Sequence, residues 1–237
     1  MFQIEPVDLT FYDIVGGQNS DKFEDFFALY ERFLPQYLHY GPLMRQRAIS
    51  PADPEANIRW HQWLVCQHDE PVGMLTFLYN RKRNLGLALD FAILPKARGI
   101  QYQQHSRLAG LMLSLAMEQI KRDAEAVGNP IPVCMVGEVE HLPLAQRYTD
   151  YGFVHLPVEY YEPPVTPDLA ALVDAKEVET KVGYRQLYLG AFGIPGGNFN
   201  PSDPQTLREV LEMLLIDHYN LPEDHWIMQT ALKSIPS

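Results

Sequence analysis

Two hydrophobic periods organise this chain. Leu87 to Leu94 is apolar apart from Asp90, the pattern of a strand buried on both faces. Pro95 ends that run, because proline cannot donate to a strand ladder. Leu108, Leu111, Met112, Leu115 and Ala116 then recur at helical spacing, predicting a long helix that closes near Gly128-Asn129-Pro130. Upstream, Gln3 to Tyr12 alternates as a first strand. Phe23, Phe26, Phe27 and Tyr30 mark one face of a helix that Pro35 stops. Asp53 and Pro54 read as the cap and first residue of a short helix over residues 51–60. His61 to His68 and Val72 to Tyr79 read as strands joined by the turn Asp69-Glu70-Pro71. A polar loop, Asn80 to Asn84, leads back to the Leu87 run, so these neighbours are expected to be antiparallel.

Downstream, Ile131 to Val139 reads as a strand, parallel to the preceding one because a long helix makes the crossover. His141 to Asp150 predicts a short helix, with Gly152 in its left-handed terminal position. Strands are expected at Phe153 to Tyr161 and at Val182 to Phe192. The proline-rich stretch of about 163–181 between them reads as an insertion. Leu207, Val210, Leu211, Leu214 and Leu215 give Pro204 to Tyr219 an apolar helical face, with Ser202 and Gln205 as a capping box. The last fifteen residues read as a loosely attached tail.

Composition narrows the function. A chain of 237 residues with 46% hydrophobic and 21% charged residues is that of a soluble globular protein. A formal net charge of −11 argues against nucleic acid, which calls for clustered Lys and Arg. It leaves room for a small anionic ligand at a local basic spot, and Arg81-Lys82-Arg83 and Lys96/Arg98 are such spots. Cys66 and Cys134 sit in apolar runs without metal-ligand spacing. They read as free buried thiols in a reducing, cytoplasmic setting, and no metal is expected. The segment MFQIEPVDLT lacks a basic n-region and an apolar core, so no signal peptide is expected, and no apolar run is long enough for a membrane span.

The strand, loop and helix from Leu85 to Ala126 is a device that can hold phosphate, because the first N–H groups of a helix lack internal partners and carry the positive end of its dipole. The element order, with Pro95-x-x-Arg98-Gly99 and later Tyr148-x-x-x-Gly152-Phe153, resembles the GNAT superfamily of acyl-CoA-dependent N-acyltransferases. The resemblance covers residues 1–193. Residues 194–237 read as an extension with one amphipathic helix. It implies an α/β fold of the α+β kind: a mixed, mostly antiparallel sheet of six to seven strands flanked by helices. The family's Arg/Gln-x-x-Gly-x-Gly/Ala cofactor motif aligns with Arg98, Gly99, Ile100, Gln101, Tyr102 and Gln103. Gln101 and Gln103 replace its glycines, so side chains stand where the family leaves the backbone open to pyrophosphate. Arg107-x-x-Gly110 matches half the motif a second time, but inside the apolar helical run.

The resemblance implies direct attack of a substrate amine on the thioester of acetyl-CoA. Residues 98–103 would hold the pyrophosphate, Phe91 and Ile93 would pair with the pantetheine arm, and Tyr148 would be the general acid toward the CoA thiolate. A core or cofactor-packing role suits Tyr148 as well. For the general base the residues offer Asp90, the one charge in its strand, then Glu138, or a water chain. Glu140, His105 and His141 are further carboxylate and imidazole candidates. Tyr37, Tyr40, Arg45, Tyr160, Tyr161 and Glu162 would build the site for a small-molecule amine or amino acid. The same residues would serve a homodimer surface equally. The alternative is a non-catalytic acyl-CoA-binding or scaffold protein that keeps the fold, which Gln101 and Gln103 favour.

Overall fold

The computed structural model describes residues 1–4, 8–99, 101, 107–163 and 184–236. Their contacts group into two compact units, Met1–Lys82 with Gly86–Pro130, and Arg83–Leu85 with Ile131–Ser237.

The first unit is built on strands β1 (Phe2–Ile4), β2 (Leu9–Asp13), β3 (Ile58–Gln67), β4 (Glu70–Asn80) and β5 (Leu85–Ile93), adjacent in that order. β1 and β2 form a hairpin, Phe2 opposite Phe11, in place of one strand over residues 3–12. β2 pairs antiparallel with β3, Phe11 opposite Val65, and β3 with β4, Trp63 opposite Leu75. Every residue from Val72 to Asn80 is buried, so β4 is covered on both faces. One face carries helices α1 (Phe23–Phe33) and α2 (Gly41–Ile49), whose Phe26, Tyr30, Met44 and Ala48 pack with Leu64, Cys66, Met74 and Ala92. On the other lies α3 (Leu108–Ala126). A Cβ on Gly86 would stand 2.4 Å from Ile120 Cδ1, so the glycine is what allows that approach.

The helix expected over residues 51–60 lies earlier, at α2. Asp53 does not cap a helix. Its Oδ1 accepts from the Glu55 N–H at 2.9 Å and turns the chain into β3.

The second unit holds β6 (Cys134–Val139), α4 (Leu142–Thr149), β7 (Phe153–His155), a short ribbon of β8 (Tyr161–Glu162) with β9 (Arg185–Gln186), and β10 (Tyr188–Gly193). β10 lies between β6 and β7 and is antiparallel to both. Gly152 takes φ +88° after α4, as its position predicts. The expected strand over residues 153–161 is broken between β7 and β8.

α5 (Pro204–Glu212) is capped by Asp203, whose Oδ2 accepts from the Thr206 N–H at 2.8 Å, so the Ser202/Gln205 box does not form. α5 continues as a π-helical turn, Met213–His218. The final residues are not a loose tail. Trp226–Ser234 forms α6, a second helix of the extension, with Ile227, Met228 and Ala231 buried. The expected mixed, mostly antiparallel sheet flanked by helices with a C-terminal helical addition is the architecture found. The stretch 164–183, which holds nearly all of the expected insertion, lies outside the described residues. Among the described residues no helix is long and apolar enough to cross a membrane.

Candidate functional site

Two half-buried strand carboxylates dominate the chemistry, one in each unit. Asp90 lies on β5. Residues 88–91 are partly exposed between buried ends, so the strand is not covered on both faces along its length as its sequence suggests. Asp90 is thus partly accessible to water. Burial raises its pKa to about 7, while Thr76, Arg47 and Tyr30 favour the carboxylate and pull it down. Arg47, from α2, lies over the Trp60 ring at 3.3 Å and lines a recess of about 440 Å³ with Asp13, Arg59, His61 and Asp123. Burial lowers the Arg47 pKa to about 10.

In the second unit Glu138, on β6, is also partly exposed. Tyr160 donates its hydroxyl to Glu138 Oε1, and Tyr219 donates to Oε2 at 3.0 Å, with Oε1 at 3.2 Å. Burial first, and the charge of Glu162 second, push the Glu138 pKa up to about 7, against Tyr160, Tyr219 and Arg185. Glu162 is 5% exposed and is raised by burial, with Arg185 opposing. Arg185 Nε donates to Glu162 Oε2 at 2.7 Å, and its Nη1 to Glu140 Oε1 at 2.8 Å. A near-neutral carboxylate held by two fixed hydroxyls can accept a proton without turning away.

Tyr148, on α4, packs its ring against Phe153 and Phe192, with centroids 5.9 and 6.3 Å apart. Burial raises its hydroxyl to about 12, so it keeps its proton at neutral pH. That fits the packing role directly and leaves the general-acid role open.

The candidate phosphate loop differs from expectation. Pro95–Ala97 forms a single 3-10 turn, and the long helix starts only at Leu108. The Arg98–Gly99 pair therefore does not open that helix. Arg98 Nε donates to the Ile93 carbonyl at 2.9 Å, occupying one lone pair of a backbone group expected to hold the pantetheine arm. Gly99 and Gln101 are exposed, and Phe91 is partly exposed. Among the described residues, a Cβ on Gly99 would meet no atom within 4 Å. Ile100, Tyr102, Gln103 and His105 lie outside the described residues. Arg107 is the residue before the first turn of α3, and Gly110 lies in that turn, so the second half-motif sits at the helix start and not within it.

Of the acceptor-site candidates, Tyr160 and Glu162 join the Glu138 cluster. Tyr161 donates to Glu159 at 2.7 Å. Tyr37 and Tyr40 stack on each other in the Pro35–Tyr40 turn. Arg45 is committed elsewhere: it pairs with Glu24 at 2.6 Å over the Phe23 ring. His141 is exposed at the start of α4, 3.8 Å from Glu140.

Sequence reasoning missed Tyr219, Arg185 and His61. Tyr219 continues the apolar stripe of Leu211 and Leu215 by helical spacing, which was its one signal. His61 Nδ1 is 2.5 Å from Asp13 Oδ2 and its Nε2 is 2.8 Å from Asp123 Oδ2. Burial works against the His61 charge, but these two carboxylates outweigh it and raise its pKa to about 9. Cys66 and Cys134 are free and buried, and burial pushes their thiols up to about 11 and about 12.

No family model and no curated protein matches the chain. Among solved structures it is similar to a nourseothricin acetyltransferase, at 17% identity over 61% of this chain and 75% of that one, with TM-score 0.38. It is similar to a Bacillus subtilis acetyltransferase solved in complex with CoA, at 12% identity over 78% and 99%, with TM-score 0.44. It is also similar to the ribosomal-protein-S18-alanine N-acetyltransferase of Escherichia coli, at 11% identity over 81% and 99%, with TM-score 0.45.

Proposed function

We propose that this chain is an N-acetyltransferase that moves the acetyl group of acetyl-CoA to a primary amine of a small molecule or amino acid. The observation that carries the reading is Glu138: a reachable carboxylate, raised to about 7 and held by two tyrosine hydroxyls. An amine arrives at neutral pH as an ammonium ion and must lose a proton before its lone pair can attack a thioester. A carboxylate poised near the working pH is suited to take that proton. Asp90, also at about 7, is the second candidate base. Attack forms the amide C–N bond, and collapse of the tetrahedral intermediate breaks the C–S bond and expels the CoA thiolate. Tyr148, protonated at neutral pH, is the proposed donor to that thiolate. The acyl-CoA part of the reading rests on the resemblance of Pro95-x-x-Arg98-Gly99 to the family's cofactor motif.

The test has two stages. Acetyl-CoA should raise the melting temperature of the purified chain, as a ligand of the native state does. Release of free CoA thiol should then depend on an added amine from a panel. Glu138→Gln or Asp90→Asn should keep the thermal shift and cut turnover by about 10²–10⁴-fold. Turnover equal to the parent in both variants removes the carboxylates from the chemistry. The late start of α3 favours a second reading, a non-catalytic acyl-CoA binder: a thermal shift without thiol release for any amine would select it.

A further inference from the structure

We propose that Tyr219, supplied by the C-terminal extension, is a positioning residue that sets the orientation and ionisation of Glu138. Its hydroxyl reaches both carboxylate oxygens, at 3.0 and 3.2 Å, while Tyr160 holds Oε1 from the segment before β8. Tyr219 is 6% exposed and Tyr160 1%, so neither hydroxyl has water as a ready substitute partner.

The backbone is arranged to deliver this contact. α5 gives way to the π turn over Met213–His218, and the Tyr219 N–H bonds to the Leu214 carbonyl at 2.9 Å, five residues back. A π turn holds one residue more than an α turn, so it rotates the following side chain relative to a continuous α-helix. Leu221 N–H then bonds to the Leu215 carbonyl at 2.8 Å and closes the segment. The turn is clamped from outside. Arg83 Nε donates to Asp217 Oδ2 at 2.9 Å and Nη1 to Glu209 Oε2 at 3.1 Å, and Nη1 also binds Glu212. α5 and the π turn are thus fixed on both sides of the register shift that places Tyr219.

Among the described residues, the charged and titratable groups around Glu138 are Tyr160, Glu162, Arg185 and Tyr219. Glu162 disfavours its charge; Arg185 and the two hydroxyls favour it. A hydroxyl that donates to the carboxylate and not to the acid stabilises the ionised form. Removing one such donor should raise the Glu138 midpoint by about one pH unit.

The kinetic arm of this inference rests on the acyltransferase reading; the spectroscopic arm does not. In the 237-residue chain with carboxyl-labelled glutamate, Glu138 is assigned by its loss in Glu138→Gln, and its carbon-13 titration is followed. Tyr219→Phe should raise that midpoint by about one pH unit. The acidic limb of kcat/KM against pH should move by the same amount. An unmoved midpoint overturns the proposal whatever the activity. A moved midpoint with an unmoved acidic limb overturns the positioning role. Absence of acyl transfer in the parent chain counts against the acyltransferase reading alone. Should Tyr219→Phe not fold, 3-fluorotyrosine at position 219 keeps the shape with a more acidic, stronger donor. It should lower the midpoint; no change there overturns the proposal equally.

Discussion

His61 Nε2 lies 2.8 Å from Asp123 Oδ2, while its other ring nitrogen faces Asp13, so both nitrogens point at acceptors and the imidazole is held as its cation. The folded pKa of about 9 is above the ordinary 6.5. A histidine raised in this way contributes stability in full below about 6.5, and the contribution is lost as pH rises through about 9. The shift corresponds to roughly 3 kcal/mol. The parent should therefore lose stability between pH 6.5 and 9 in urea titrations, and His61→Gln should flatten that slope. An equally steep slope in the variant would assign it to another group.

Gly190 faces Gly137 in the β10–β6 register, and the Phe153 ring covers both. A Cβ on Gly190 would stand 2.3 Å from Phe153 Cζ and 2.8 Å from the Val154 carbonyl oxygen. The ring could turn, but the backbone oxygen cannot leave without breaking the β10–β7 pairing. Gly190→Ala should destabilise by about 2–3 kcal/mol through overpacking. Adding Phe153→Leu should recover only the ring's share, which a double-mutant cycle in denaturant measures.

The fold was legible where burial forces a pattern, and less so where local chemistry competes. β3 and β4 showed as apolar runs because both strands are nearly encased. α2 was misplaced because its buried residues, Gly41, Met44 and Ala48, make a short stripe behind a glycine and a proline. Asp53-Pro54 meanwhile offered a better-looking helix start that the chain uses as a turn. Asp90 was readable as the single charge in an apolar strand, and Glu138 from its strand position. Tyr219 was not readable as a partner of Glu138. Its contact spans 81 residues and depends on a π turn, which no side-chain period announces.

Arg98 and Arg107 make competing forecasts for the anion. Arg98 is tied through Nε to Ile93 O, and Arg107 stands directly before the first turn of α3, where the helix dipole favours phosphate. Substituting each with Ala and measuring acetyl-CoA affinity by calorimetry separates them. On the acyl-CoA reading, the residue that meets the pyrophosphate should weaken binding by about tenfold or more, the worth of a charge-assisted hydrogen bond. The other should change it little, and Arg98→Ala should also loosen the end of β5. Equal and negligible effects for both would place the pyrophosphate elsewhere or remove it.

Arg83 supports the last prediction, because three carboxylates converge on its guanidinium, and of these Glu212 has Arg208 as a second, more exposed cation at 3.7 Å. The Arg83 side chain is 11% exposed, and Asp217 beside it is 10% exposed. Removing the cation leaves Glu209, Glu212 and Asp217 repelling one another in a poorly solvated place. Arg83→Met should therefore destabilise by about 3 kcal/mol, more than an exposed ion pair would. Replacing Glu212 and Asp217 with Gln and Asn in the Arg83→Met background should restore part of that loss at neutral pH. A surface-like cost below about 1 kcal/mol would mean that water already reaches the cluster. In that case the π turn before Tyr219 would be held by its apolar face, Leu211, Leu214 and Leu215, and not by Arg83.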